Sequence, residues 1–287
     1  MTAIGELVEN IKRRLSSLYE PNEARAVTHE IVRRYVGLKP SEIYIRRDDS
    51  VCDVAEKNIN KSVEELLTGR PLQYVSGETE FCGRRFVVDE SVLIPRPETE
   101  ELAAKIVAEN KNNPAVILDV GTGSGCISVS LAAGLPDARV YAVDISEPAL
   151  STARKNALIN NVNVEFARYD ILSNGEFPFD VRFDVIVSNP PYVRRSEKKS
   201  MRDNVLLFEP HIALFVDDDN PLIFYEAVAD FARKYLNTEG VLWFEINESS
   251  GFETRKALSE KGFVSELYRD LFGKDRFIKA VVANESR

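Results

Sequence analysis

From Pro114 onward the chain alternates strand-like and helix-like segments, and this alternation restricts the fold more than any other feature. "AVILDV" reads as a strand and "GCISVSLAAGL" as a helix; "ARVYAVDI" and "EPALSTARKNALINN" repeat the pair. The strands "VEFARYD" and "FDVIVSNPPY" follow, then the helix "NPLIFYEAVADFARKYL", which the pattern ends near Gly240. The strand "VLWFEIN", the helix "FETRKALSEKG" and the strands "FVSELYRD" and "RFIKAVVA" close the chain. Short β-branched and aromatic runs of this kind suit buried strands. Interleaved with helices, these seven runs predict an α/β fold with an open, mostly parallel sheet covered on both faces.

Residues 1–70 follow a different rule. Ile4, Leu7, Val8, Ile11, Leu15 and Leu18 recur at helical spacing and leave Lys12, Arg13 and Arg14 on the other face. "NEARAVTHEIVRRYV" and "VCDVAEKNINKSVEELLTG" are further helices, the latter ended by Gly69 and Pro71. A small all-helical domain is expected there. Residues 71–93 read as a connector in which "FCGRRFVVD" forms a hairpin around Cys82-Gly83. Residues 94–287 then form the sheet domain. Its first helix lies in "LIPRPETEELAAKIVAEN", with Pro97 suited to a first turn and Glu98 and Glu100 to the positive end of the helix dipole. The least regular stretch runs from about Arg194 to Asn220, and a long loop beside a site is often a lid or a substrate-binding element.

Composition excludes several classes. No run of about 18 apolar residues occurs, so no membrane span is expected. "MTAIGELVENIKRRL" lacks a signal peptide's order of basic head, apolar core and small-residue cleavage site. The three cysteines, Cys52, Cys82 and Cys126, are far apart and odd in number, which fits a reducing cytoplasm. With two histidines and no close cysteine pair, no metal site is expected. The net charge of −9 and a pI near 5.1 argue against a large electrostatic footprint for nucleic acid. The basic clusters Lys12-Arg13-Arg14 and Arg194-Arg195 with Lys198-Lys199 read as solvated surface.

The chemistry gathers at strand ends. "ILDVGTGSGCIS" puts Asp119 at the end of one strand, then Gly121, Gly123 and Gly125 before a helix. Glycines allow a sharp turn and let backbone N–H groups approach a ligand. A tight strand-to-helix connection has the same composition, and the spacing departs from the dinucleotide pattern Gly-x-Gly-x-x-Gly. The next strand ends in Asp144, 19 residues after Gly125, where a carboxylate can accept from both hydroxyls of a ribose or cap the following helix. The third ends in Asp170. The fourth ends in Asn189-Pro190-Pro191-Tyr192, where two prolines stop the ladder and leave a carboxamide and an aromatic ring at the edge. In an open sheet the crevice beyond the carboxyl ends of the strands holds the ligand, so the ordered set points to one site.

"DVGTGSG", Asp144, Asp170 and "NPPY" together resemble a class I S-adenosylmethionine-dependent methyltransferase of the amino-methylating kind. "GRPLQYVSGETEFCGRRFVVDESVLIPRPETEEL", "FEPHIALFVDDDNPLIFY", "FEIN" and "DLFGKDRFI" narrow the resemblance to the protein-glutamine methyltransferases that modify release factors, the HemK/PrmC family. It covers essentially the whole chain. Asn247, where glycine is expected, and Ile171, where some members carry an aromatic, depart from the pattern.

The resemblance implies a Rossmann-like methyltransferase sheet beside a helical N-terminal substrate-docking domain. Gly121, Thr122, Gly123, Ser124 and Gly125 would curve around the amino acid end of S-adenosylmethionine. Asp144 would bind the ribose, and Asp170 and Ile171 would flank the adenine. Asn189, Pro190, Pro191 and Tyr192 would hold the methyl acceptor, with Asn189 also bordering the cofactor. The implied activity is methylation of the amide nitrogen of the Gly-Gly-Gln glutamine in bacterial peptide chain release factors. It leaves S-adenosylhomocysteine as product and calls on a cytoplasmic monomer that binds neither nucleic acid nor membrane. The alternatives are a ribosomal-protein glutamine methyltransferase, a nucleic-acid exocyclic-amine methyltransferase that flips a base into the pocket, and a catalytically silent cofactor-binding scaffold.

Overall fold

Amphipathic helices build the first of two units. The structure, a computed structural model, describes residues 2–111, 113–173 and 175–283. It divides into residues 1–77 with 202–208, and residues 78–201 with 209–287. Residues 284–287, the tail of the expected third segment, lie outside the described residues.

In the first unit α1 (Ile4–Leu15) buries Ile4, Leu7, Val8, Ile11 and Leu15, as the periodicity requires. Leu18 lies past the helix end and is 48% exposed, so it does not continue that face. The next helix, α2 (Pro21–Val36), starts with proline in its first turn and ends at Gly37 in the left-handed conformation. Next come α3 (Pro40–Ile45), α4 (Asp53–Leu67) and α5 (Leu72–Ser76). Ile11, Leu15, Val32, Ile59, Val63 and Leu66, all fully buried, form the centre of this unit's core. The unit thus extends to Gly77, and α5 belongs with the helices instead of the connector.

The second unit opens with the hairpin of β1 (Glu78–Phe81) and β2 (Arg84–Val87). Its turn, Cys82-Gly83, has both residues at positive φ, 50° and 68°, the geometry that matches strand twist in two-residue hairpins. The order then runs α6 (Pro97–Asn110), β3 (Val116–Val120), α7 (Cys126–Gly134), β4 (Arg139–Asp144), α8 (Glu147–Ile159), β5 (Glu165–Arg168), β6 (Phe183–Ser188) and β7 (Val193–Arg194). After α9 (Asp203–Phe208), which clusters with the first unit, come β8 (Phe215–Val216), α10 (Ile223–Tyr235), β9 (Leu236–Glu245), α11 (Gly251–Glu260), β10 (Phe263–Arg269) and β11 (Asp275–Val282).

The seven-stranded sheet has the order β10-β11-β9-β6-β3-β4-β5, with only β11 antiparallel to its neighbours. Alternate side chains fill two layers. Leu118, Ile186, Leu242, Phe244 and Ile278 pack in one core with α10, and Ile117, Val185, Val187, Trp243 and Phe277 in the other with α6 and α7. The registers Val120↔Val143, Val120↔Ser188 and Asp144↔Arg168 bring four carboxyl ends to one edge. The strand order reverses between β3 and β6, which is where an open α/β sheet leaves its crevice.

Two expectations change. The helix expected to end near Gly240 ends at Tyr235, and β9 begins at once, with Gly240 inside it. A Cβ there would come within 2.8 Å of Leu236 Cδ2 and 3.0 Å of the Phe183 carbonyl oxygen, so that glycine serves packing and not helix termination. The stretch 194–220 is not one bare loop. A 3-10 turn spans Arg195–Ser200, and β7 pairs in parallel with β8 through Val193↔Phe215.

Candidate active site

The turn after β3 is fastened to β4. Gly121 N and Thr122 N donate to the Val143 carbonyl of β4 at 2.9 and 3.1 Å. Gly121 and Gly123 have φ of 75° and 55°, a region L side chains rarely enter, and a Cβ on either would meet open space. Gly125 differs: its Cβ would press on Ala153 Cβ at 3.0 Å, so it admits α8 against α7. Beneath the turn, Asp119 Oδ2 accepts from Thr122 Oγ1 at 2.6 Å and from Ser128 N at 3.2 Å. Burial lifts this carboxyl to about 6 despite those bonds.

Asp144 reaches back to the turn. Its Oδ2 accepts from Gly123 N and its Oδ1 from Ser146 N, both at 2.9 Å. Burial raises its pKa above the usual carboxylate range, and the backbone donors oppose that rise. It does not cap α8; the Ser146 hydroxyl does, accepting from Ala149 N. Asp170 Oδ1 accepts from Leu172 N, which turns the chain shortly after β5.

A cavity of about 360 Å³ opens at this edge, within the range of small-molecule sites. Gly121, Thr122, Gly123, Ser124, Asp144, Asp170, Ile171, Asn189, Pro190 and Pro191 line it. The structure therefore brings ten of the twelve expected residues to one wall. Gly125 lies behind the turn, and Tyr192 is off the wall as well. The chain bends after Pro191 into β7, and the Tyr192 hydroxyl donates instead to Glu245 Oε1 at 3.4 Å. Ile127, Ile145, Phe224 and Val228 add apolar surface, and Arg96 and Thr99 add polar groups from around the start of α6. Among the described residues no cluster of side chains suits a metal ion, and no helix is long and apolar enough to cross a membrane.

Two side chains at the back of this wall were not singled out from the sequence. Thr99 Oγ1 donates to Glu245 Oε2 at 2.7 Å, and Asn189 Nδ2 donates to Thr99 Oγ1 at 3.3 Å. Both Thr99 and Glu245 are fully buried. Burial raises Glu245 to about 7; Thr99, Arg276 and Tyr192 hold it down, while Glu98 pushes it up. Nearby, Arg96 pairs with the buried Glu209 at 2.6 Å, tying the loop before α6 to the loop before β8. A carboxylate inside the apolar run "VLWFEI" is the one signal that could have marked Glu245, since burying it without partners is costly.

Comparison with known proteins decides the family. The release factor glutamine methyltransferase of Flavobacterium psychrophilum is 42% identical over 270 residues, covering 92% of this chain and 94% of that one. The chain belongs to the release factor glutamine methyltransferase family. The relative from Bacteroides thetaiotaomicron is 41% identical, with 96% and 99% covered. Residues 99–210 match the Methyltransferase small domain and residues 6–77 the PrmC N-terminal domain. In fold alone, a methyltransferase structure from Pyrococcus furiosus aligns with a TM-score of 0.50 at 17% identity, covering 80% of this chain and 98% of that one.

The raised carboxyl of Glu245 sets a pH dependence in this methyltransferase. Folded Glu245 holds a proton that the unfolded chain releases near its ordinary value of 4.5. Its stabilising contribution is complete below that value and is lost as pH rises through about 7. The Glu245→Gln variant is therefore expected to gain melting temperature relative to the wild type as pH is raised from about 5 to about 8. Paired thermal melts check this; a gap that stays constant with pH contradicts it.

Proposed function

We propose that the chain transfers a methyl group from S-adenosylmethionine to the side-chain amide nitrogen of the Gly-Gly-Gln glutamine of peptide chain release factors. The observation that carries this reading is that Asn189, Pro190 and Pro191 open on the same cavity as the glycine turn and Asp144.

The residues fit the cofactor on three counts. The space over Gly121 and Gly123 admits close approach of a ligand to backbone. Each Asp144 oxygen accepts one backbone N–H and keeps acceptor capacity for a diol. Ile145, Ile171 and Val228 supply apolar surface for a planar base. S-Adenosylmethionine, when bound, supplies an electrophilic methyl on a sulfonium.

The chain's own task is to hold a poor nucleophile. A carboxamide nitrogen has its lone pair drawn into its carbonyl. Asn189 Oδ1 and the Pro190 carbonyl can each accept one N–H of the glutamine amide, fixing its plane and presenting the nitrogen. Orientation of this kind is worth several kcal/mol, and the Asn189 oxygen stabilises positive charge developing on nitrogen. No strong base is required, because an alkylated amide cation gives its proton readily to water. Tyr192 acts one step back, through Glu245.

The helical unit serves, in this reading, to dock the intact protein substrate, and the reaction runs on a monomer in the cytoplasm, where the three free cysteines stay reduced. The net charge of −9 favours this over the nucleic-acid alternative. Asp144→Ala is expected to weaken S-adenosylmethionine binding by about 1–3 kcal/mol, the scale of hydrogen bonds to a charged group. Calorimetry on the folded variant checks this, and unchanged affinity removes Asp144 from the site. The function itself is tested by methyl transfer from labelled cofactor to purified release factor, with a variant lacking the Gly-Gly-Gln glutamine as control.

A further inference from the structure

Asn189 has two ends, and only one suits the proposed reaction. A glutamine amide needs an acceptor to take its N–H; the Asn189 nitrogen in that place would offer a donor to a donor. The two ends have nearly the same shape, so packing alone does not choose between them. The hydrogen-bond chain behind Asn189 does choose. Thr99 has a single hydroxyl proton. That proton goes to Glu245 Oε2 at 2.7 Å, so Thr99 Oγ1 has only acceptor capacity left for Asn189, whose Nδ2 lies at 3.3 Å. The carboxamide nitrogen is drawn to Thr99, and Oδ1 is left for the cavity that Asn189 lines.

We infer that the buried Thr99–Glu245 pair is a positioning device, which fixes the Asn189 carboxamide with its oxygen toward the methyl acceptor. The inference rests on reading Asn189 as the amide-binding residue. The surroundings agree with it. Thr99 from α6 and Tyr192 from the segment after β6 address the two carboxylate oxygens separately, Tyr225 from α10 donates to the Glu245 backbone carbonyl, and Arg276 from β11 favours the ionised form. Glu98 opposes ionisation. Above about pH 7 the carboxylate is an obligate acceptor, and the direction of the chain is set.

Full-length variants assayed near pH 8 test this. Thr99→Val, which keeps the shape and deletes the hydroxyl, is expected to lower kcat at least about tenfold while KM for release factor and the affinity for S-adenosylmethionine stay within about twofold. Thr99→Ser restores kcat. Glu245→Ala frees the Thr99 proton to turn on Asn189 and costs a similar factor, and the double variant loses no more than either single one, because the two act as a unit. A second readout needs no turnover. In the free protein the Asn189 side-chain amide protons, identified by their disappearance in Asn189→Ala, show hydrogen-bonded shifts in wild type and Thr99→Ser and solvent-like shifts in Thr99→Val. Wild-type kcat in Thr99→Val, equal losses in Thr99→Val and Thr99→Ser, or unshifted amide protons in the wild type overturn the inference. A wild type that methylates no release factor refutes the proposed function instead, and the resonance readout still decides the role of Thr99.

Discussion

Replacing Asn189 with alanine is expected to lower turnover by about a hundredfold or more while leaving S-adenosylmethionine affinity nearly unchanged. The asymmetry follows from position. Asn189 follows the last residue of β6, Ser188; its carboxamide donates to Thr99 on one side and lines the cavity on the other. In the proposed reaction its oxygen would accept from the glutamine amide, most strongly as charge builds on the nitrogen, so the loss is expected to fall on kcat more than on binding. The strand itself survives the change, because Val185, Ile186 and Val187 keep β6 buried between β3 and β9. Single-turnover rates with saturating cofactor measure the effect. Near-normal turnover reduces Asn189 to a turn residue.

Removal of residues 1–77 is expected to cut kcat/KM for intact release factor at least about tenfold, the equivalent of 1.4 kcal/mol of docking energy. The helical unit has its own buried core, and the described residues that line the cavity all belong to the sheet unit. Its loss should therefore spare cofactor binding, and cofactor calorimetry serves as the control that the sheet unit still folds. A short Gly-Gly-Gln peptide, a poor substrate in either case, should lose far less than the intact protein. Equal efficiency on intact release factor with and without the helices removes the docking role.

Much of this fold and site is legible in the sequence. The strand-helix alternation needs only local patterns, and each of the seven strands recurs where its apolar run placed it. The set Gly121, Gly123, Asp144, Asp170 and Asn189 was legible because parallel strands carry their ends to one edge in chain order. What escaped depends on contacts that sequence distance hides. Thr99 sits between Glu98 and Glu100 in an acidic helix start, and its partner Glu245 lies 146 positions away. Residues 202–208 joined the helical unit across more than a hundred residues, which no local pattern announces. The stretch 194–220 looked irregular because two-residue strands and a 3-10 turn are too short to show a period. Gly240 read as a stop because a glycine's cause, a crowded packing site or a turn, is invisible in one dimension.

The most direct measurement is a single reaction that holds purified release factor, ribosomal proteins and nucleic acid together with methyl-labelled S-adenosylmethionine, followed by fragmentation mass spectrometry of the labelled species. The predicted result is label on release factor alone, with the added mass on the side-chain amide nitrogen of the Gly-Gly-Gln glutamine and absent from the glutamine-less control. Label on ribosomal protein or nucleic acid, with none on release factor, contradicts the substrate; label on release factor at any other residue contradicts the role given to Asn189 and its cavity.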